Sequence, residues 1–301
     1  MTRAFTGAAC AALLLAGTAA QAQMVYSTAV SGAINSVDSD LGDGTGYELQ
    51  TETDLAYGNF TADIDLGYSM VDPDDGSDLS SLTIDLLPKY WITDTWGVGA
   101  YYSRDELDLD LGDTIDLDSY GLEGSYRTSG FEASLFVGET DVDGVSGVDT
   151  TDYGLRLRGE VGSQLTLFGN MVQSDVDTPA GDTDARSYGI GAGYAFNEQF
   201  SGFVAFQGTD VDDTDLQVRS QSIGVNYQTS VQGRPLILTG EYAHADADDG
   251  FGTGDGSRVS LGATVLFGNA SSKRLPGTTV SSNALKGDRN AISGALGSVG
   301  Y

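Results

Sequence analysis

Several charged side chains in this 301-residue chain are spaced to act together on an extended backbone. Glu48, Glu52 and Asp54 share one parity, Asp63 and Asp65 share another, and Asp85 follows. Residues of one parity project from one face of a strand. If these segments are strands, the six carboxylates form a single acidic wall. Arg156 and Arg158 form a basic pair of the same kind, and Arg127 and Arg258 are isolated cations. Charges of opposite sign facing each other across a wet passage set ion selectivity. His244 is the single histidine, with Ser and acidic residues close by in sequence. A Ser–His pair on a lipid-facing surface is the chemistry of lipid hydrolysis. Neither a Gly-x-Ser-x-Gly elbow nor a phosphate loop accompanies it. His244 therefore reads as a solvated rim residue, and no enzyme and no catalytic residue is expected.

Composition narrows the class. Lys and Arg number 14 against 44 Asp and Glu, a formal charge of −30. Such a polyanion repels phosphate backbones and is no nucleic-acid binder. One Cys and one His leave no disulfide framework, zinc cluster or Cys–His catalysis. Gly, at 42 residues, is about twice its usual share of ~7%. With few Pro and many Tyr, Phe and Thr, this favours β-structure with closely approaching backbones.

Residues 1–22 have the form of a secretory signal: Arg3, an apolar run from Ala8 to Ala16, then Ala20-Gln21-Ala22 at the cleavage positions. Cys10 lies within it. No later stretch approaches the 18 apolar residues of a spanning helix.

The period along the rest of the chain is two. Tyr47, Leu49, Thr51, Thr53, Leu55 and Tyr57 alternate with Glu48, Gln50, Glu52, Asp54 and Ala56. After Gly58-Asn59 the pattern returns through Phe60, Ala62, Ile64, Leu66, Tyr68 and Met70. The same hairpin recurs to Phe267. Short connections alternate with long acidic ones at 35–46, 71–79, 105–117, 140–150, 174–186, 209–215 and 244–256. This predicts about 14 strands of roughly ten residues, with 12 to 16 allowed and Met24–Ile34 as the first.

Aromatics decide between a soluble sandwich and a membrane barrel. Tyr57, Phe60, Trp96, Tyr126, Phe131, Phe196 and Phe200 flank the short turns. Tyr47, Tyr68, Tyr102, Tyr120, Tyr153, Tyr188 and Tyr242 sit near the long connections. Two aromatic rows about eight residues apart are the interfacial girdles of a barrel. Trp91 breaks the face pattern and is expected to point inward. The polar face is charged or tiny, which suits a wet lumen behind an apolar belt.

The last strand carries Ser260, Gly262, Val265 and Phe267. This resembles the closing-strand signal read by the barrel-assembly machinery of Gram-negative bacteria, although 34 residues follow it here. With the leader, the aromatic rows and the acidic connections, residues 23–268 resemble an outer-membrane porin-type β-barrel. The resemblance implies a transmembrane antiparallel up-and-down barrel with short periplasmic turns and long acidic external loops. It also implies location in the outer membrane among its lipids after export, and passive diffusion of small hydrophilic solutes. The acidic wall adds a preference for cations, with Glu48, Glu52, Asp54, Asp63, Asp65, Asp85, Arg127, Arg156, Arg158 and Arg258 lining the pore. A non-conducting structural or adhesive barrel is the alternative, and a lipid hydrolase a distant third. Gly-rich strand faces are compatible with packing into a homotrimer. No cofactor or metal site is expected. The Asp-rich connections lack EF-hand spacing, and Ca²⁺ between them and lipid headgroups carries little weight. Residues 269–301 are Ser- and Gly-rich and weakly basic, with Lys273, Arg274, Lys286 and Arg289. They are expected to form a disordered periplasmic tail, or else a basic segment entering the acidic lumen.

Overall fold

The computed structural model describes residues 24–40, 42–74, 79–108, 114–143, 148–179, 181–212, 216–248, 252–270 and 275–298. The leader expected at residues 1–22 lies outside them. Fourteen antiparallel strands follow in chain order: β1 (Val25–Ser39), β2 (Gly42–Tyr57), β3 (Phe60–Pro73), β4 (Leu79–Trp91), β5 (Trp96–Asp108), β6 (Thr114–Arg127) and β7 (Phe131–Val142). Then come β8 (Asp149–Val161), β9 (Leu165–Thr178), β10 (Gly181–Ala195), β11 (Phe200–Val211), β12 (Leu216–Val231), β13 (Arg234–Asp248) and β14 (Thr253–Gly268). Each pairs with its sequence neighbours, and β14 closes on β1 from Ser27↔Gly268 to Ser39↔Gly256. Closure leaves no strand edge unpaired.

Strict alternation builds these strands, and turn chemistry joins them. Gln232 and Gly233 both have positive φ, 52° and 79°, as a type I′ hairpin requires. The Asn197 side chain accepts from the backbone N–H groups of Gln199 and Phe200, each at 2.9 Å, closing the β10–β11 turn.

The acidic connections differ from expectation. Four of them are largely strand rather than loop: β1 and β2 cover 35–39 and 42–46, β5 and β6 cover 105–108 and 114–117, β9 and β10 cover 174–178 and 181–186, and β13 and β14 cover 244–248 and 253–256. Acidic residues alternate with apolar ones there, so the ladder continues past the apolar belt into water. Cross-strand ion pairs support it. On the outer face Arg104 donates to Asp118 at 2.9 Å and also pairs with Asp116.

Burial is the inverse of that in a water-soluble sandwich. Large apolar residues point outward and are exposed, Leu122 at 66% and Leu135 at 65% among them. Tyr57, Phe60, Trp96, Phe131, Phe196 and Phe200 are exposed at the short-turn end. Aromatic pairs run along this rim: Phe60–Tyr90 at 5.0 Å, Trp96–Tyr126 at 4.8 Å and Phe200–Tyr227 at 5.0 Å between centroids. The interior is hydroxyl-rich, with Ser31–Thr264 at 2.8 Å and Ser119–Thr140 at 2.7 Å. Trp91 points inward, as its broken pattern suggests, and donates to Thr61 at 3.0 Å.

Glycine abundance has a packing cause. Tyr101 lies where side chains at Gly121 and Gly138 would stand, Phe136 over Gly154, Phe168 over Gly191 and Phe203 over Gly224; an added Cβ would fall within 2.0–2.7 Å of these aromatic side chains. Inward aromatics thus lie flat against bare backbone of neighbouring strands, leaving room along the axis.

That room is filled by the terminal segment, whose residues 275–298 are folded rather than disordered. Gly268 has φ +66°, and a Cβ there would lie 2.3 Å from the carbonyl oxygen of Tyr26. Only glycine makes this reversal off β14. Two helices follow within the barrel, α1 (Val280–Lys286) and α2 (Ala291–Ser298). Leu275, Val280, Ala284 and Ala291 are buried, and so are Thr279, Ser281, Ser282, Arg289 and Asn290. The sequence hides this because a Ser- and Gly-rich stretch has no apolar stripe to bury against a core. Its partners are side chains on the inner faces of strands spread around the barrel.

Leu135 lies on β7 between the aromatic Phe131 and the outward acid Glu139. In water, a substitution at so exposed a site stays within about 0.5 kcal/mol. Facing hydrocarbon, Leu135→Arg is expected to destabilise the barrel by about 2–4 kcal/mol. Urea unfolding in phospholipid vesicles measures this, and a change below about 0.5 kcal/mol places that face in water.

Candidate functional site

The inner wall carries the charge, and the sheet register determines how it is grouped. Glu52 stands opposite Asp65, and Asp65 opposite Asp85, so three carboxylates form one row across β2, β3 and β4. Asp54 stands opposite Asp63 just below. Like charges directly opposed destabilise a ladder unless cations come between them. Here cations do. Lys286 of α1 reaches across to pair with Glu52 and, at 3.0 Å, with Asp65. Lys89 of β4 lies 3.6 Å from Asp63 and 3.1 Å from Glu123 of β6.

Glu123 also receives Arg289 at 2.8 Å. The Arg289 guanidinium is 4% exposed and lies against the rings of Tyr101 and Phe136, 4.2 and 4.9 Å from their centroids. A carboxylate and two aromatic faces thus enclose one cation. A third group surrounds Arg258, which pairs with Glu48 at 2.6 Å and approaches Glu241 at 3.7 Å. The Glu241 carboxylate accepts from the backbone N–H groups of Val280 at 2.9 Å and Ser281 at 3.2 Å, holding the start of α1 on β13. Helix α2 begins at Asn290, whose side chain accepts from Ser293 N–H at 2.7 Å and donates to Ser119 at 2.9 Å.

The ten residues expected along the pore are dispersed among these groups. Glu48, Glu52, Asp65 and Arg258 take part in the ion pairs just described. Asp54, Asp63, Asp85 and Arg158 line a cavity of about 220 Å³ beside Lys89, Leu285 and Lys286. Arg156 donates to the carbonyl of Gly287 at 2.8 Å, so the basic wall meets the terminal segment instead of facing the acids across open water. Arg127 sits at the short-turn rim, 3.5 Å above the Trp91 ring, and donates to the Asp94 carbonyl. A second cavity of about 400 Å³ lies among Gln164, Thr166, Phe168, Asn226, Gln228 and Leu285. Lys89, Glu123 and Glu241 had escaped the sequence reading, yet each shares the inward parity of its strand. Of the closing-strand residues, Ser260 is buried and Phe267 lies under the Arg234 guanidinium at 4.8 Å.

His244 lies on the outer face of β13. Its Nδ1 is 3.1 Å from the Ser257 hydroxyl and its Nε2 3.4 Å from Asp246. Ser257 is flanked by β1 and β13 in the ladder, which takes up the backbone N–H groups an acyl-transfer site needs as oxyanion donors. Among the described residues, no group of three or more His, Cys, Asp or Glu side chains is arranged to hold a metal ion.

Burial, with the neighbouring carboxylates Asp105 and Asp85, raises the Asp288 carboxyl to about 7, against a counteracting effect of Arg156. The docked segment therefore binds this proton more tightly than the free one. On this account docking is strongest below the ordinary carboxylate range and weakens as pH climbs to about 7. Asp288→Asn is expected to slow hydrogen exchange severalfold across 280–295 at pH 8. The difference from the parent should shrink towards pH 4. A difference that does not change with pH counts against a protonated Asp288.

Residues 93–232 match the family model described as Gram-negative porin. No curated protein matches the chain in sequence. Among solved structures, the fold is similar to that of the CymD monoaromatic hydrocarbon channel, at 11% identity and a TM-score of 0.51, covering 83% of this chain and 90% of that one. An anion-selective porin from Comamonas acidovorans aligns at 14% identity and a TM-score of 0.49, over 81% of this chain and 99% of that one. Closed ladder, apolar exterior and charged interior agree: the chain folds as a transmembrane antiparallel β-barrel, and its residues 93–232 are similar to Gram-negative porins.

Proposed function

We propose that this barrel is an outer-membrane channel for small hydrophilic solutes, and that it prefers cations. The carboxylate row Glu52–Asp65–Asp85 carries this reading. Three acids in ladder register, with Asp54 and Asp63 beside them, set a negative potential on the wall that a solute must pass. Ionic and hydroxyl side chains line much of the interior, between the inward rings of Tyr101, Phe136, Phe168 and Phe203. Such a lining favours hydrated solutes over the aromatic hydrocarbons named for the structural relative. Location in the outer membrane follows from the exposed apolar belt and the porin-matched segment.

A second reading, a closed barrel that does not conduct, is favoured by the terminal segment within the lumen. Planar-bilayer recording separates the two. The channel reading expects discrete conductance steps and a reversal potential displaced towards the potassium equilibrium in a KCl gradient. Replacing the row with Glu52→Gln, Asp65→Asn and Asp85→Asn should lower the cation-to-anion permeability ratio severalfold. Folded protein that passes no current supports the closed barrel, and anion preference defeats the acidic-wall assignment.

A further inference from the structure

The terminal segment seats two cations on the wall, three residues apart in sequence and each in a different kind of site. Lys286 rests on the paired carboxylates Glu52 and Asp65. Arg289 rests on Glu123, between the rings of Tyr101 and Phe136. The second site is enclosed with Arg289 in place, Glu123 being 3% exposed, Tyr101 4% and Phe136 6%, and its two rings hold each other edge to face at 5.5 Å. Carboxylate pairs and aromatic-lined carboxylates are the chemistry that recognises primary amines and guanidinium groups.

We propose that these two places bind the amine or guanidinium groups of cationic solutes entering the lumen, and that residues 275–298 occupy them as an internal competitor. The inference rests on the channel reading and names its solute class: linear organic cations with two or more charged nitrogens.

The segment is held in a way that permits exchange. No strand uses it as a ladder partner. Its contacts with the wall run through side chains, single carbonyls and a few backbone N–H groups, those of Val280 and Ser281 onto Glu241 and that of Ala291 onto Ser174. Ser281 meets Ser222 at 2.8 Å, Gln207 donates to the Val280 carbonyl, Asn170 to that of Ala284 and Arg156 to that of Gly287. Each of these groups can be rehydrated when the segment leaves. The ion pairs are different, because removing Lys286 and Arg289 leaves carboxylates opposed in register and a buried Glu123 with fewer counter-charges. A solute that brings its own cations restores that balance, whereas a neutral solute does not.

The test uses the full chain with Cys10→Ser and Ser281→Cys, folded in phospholipid vesicles. Labelling by a membrane-impermeant maleimide reports whether residue 281 has left the wall. Spermidine is the probe, with NaCl at equal ionic strength and sucrose as comparisons. Spermidine is expected to raise the labelling rate roughly tenfold over NaCl, by mass action for the vacated sites. Lys286→Ala with Arg289→Ala should label quickly without spermidine, its folded state checked by heat-modifiable gel migration. A further pair, Ser222→Cys with Ser281→Cys, should lock the segment when oxidised and release it when reduced. Equal labelling in spermidine and NaCl overturns the amine sites. Continued protection of residue 281 in the folded double-Ala variant overturns the competitor and makes the segment a fixed part of the barrel. Labelling needs no current, so spermidine-driven release in a barrel that never conducts defeats the channel reading alone. Conductance without any labelling response defeats this proposal alone.

Discussion

The opposition of Glu52, Asp65 and Asp85 across three strands is the constraint from which the rest of the interior follows. Register in a closed ladder cannot slip by one residue without turning every apolar side chain into the lumen. The three acids are therefore locked into adjacency by the same alternation that keeps Leu122 and Leu135 on the outside. Nearby carboxylates repel, more strongly as water is excluded. The chain answers with Lys286, carried on a segment outside the ladder, while Lys89 of β4 pairs with the adjacent Asp63 and with Glu123.

The two solvents of the barrel explain why its energetics depart from those of a soluble domain. Outside, hydrocarbon replaces water, so exposed leucines lose nothing and add no association force of their own. Inside, large apolar side chains are few, and aromatic rings lie on glycine backbone. Packing there depends on hydroxyl pairs and ion pairs. Their worth is unequal. Arg158 and Glu160, 3.5 Å apart with side chains 43% and 45% exposed, form a screened pair worth little. Glu123 with Arg289 is nearly sealed, and loss of either partner leaves a charge stranded at a cost of several kcal/mol. The docked segment is thus governed by a few buried charges more than by its many hydroxyls.

How much of this was legible in the sequence depends on which period a residue obeys. The strands, the inward parity of Glu48, Glu52 and Asp54, and the inward turn of Trp91 all follow from a period of two, because a pleat has no other way to sort side chains. The acidic stretch Glu106–Leu117 was readable as an extension of its flanking strands for the same reason, and β5 and β6 extend into it at both ends. Lys89, Glu123 and Glu241 were within reach by parity but not by clustering, since no like charge of the same face stands beside any of them on its strand. Their partners arrive from distant strands and from α1 and α2. The terminal segment was the least legible. Its helices have seven and eight residues, too short to stand alone in water. They exist because Thr279 and Asn290 cap their starts and the wall residue Glu241 accepts from the first N–H groups of α1.

This dependence separates the stability of the barrel from that of its contents. Every strand has two strand neighbours, so the backbone hydrogen bonds are complete without residues 275–298. The segment adds side-chain contacts, with Leu275, Val280, Ala284 and Ala291 as its buried apolar residues. At ~25 cal/mol per Å² of apolar surface, four small or medium side chains stabilise docking by only a few kcal/mol, before the ordering of some twenty residues opposes it. Charge therefore decides whether the segment stays. The same carboxylates that make the wall selective also make its internal occupant replaceable, because whatever neutralises them as well as Lys286 and Arg289 do removes the main reason for the segment to remain.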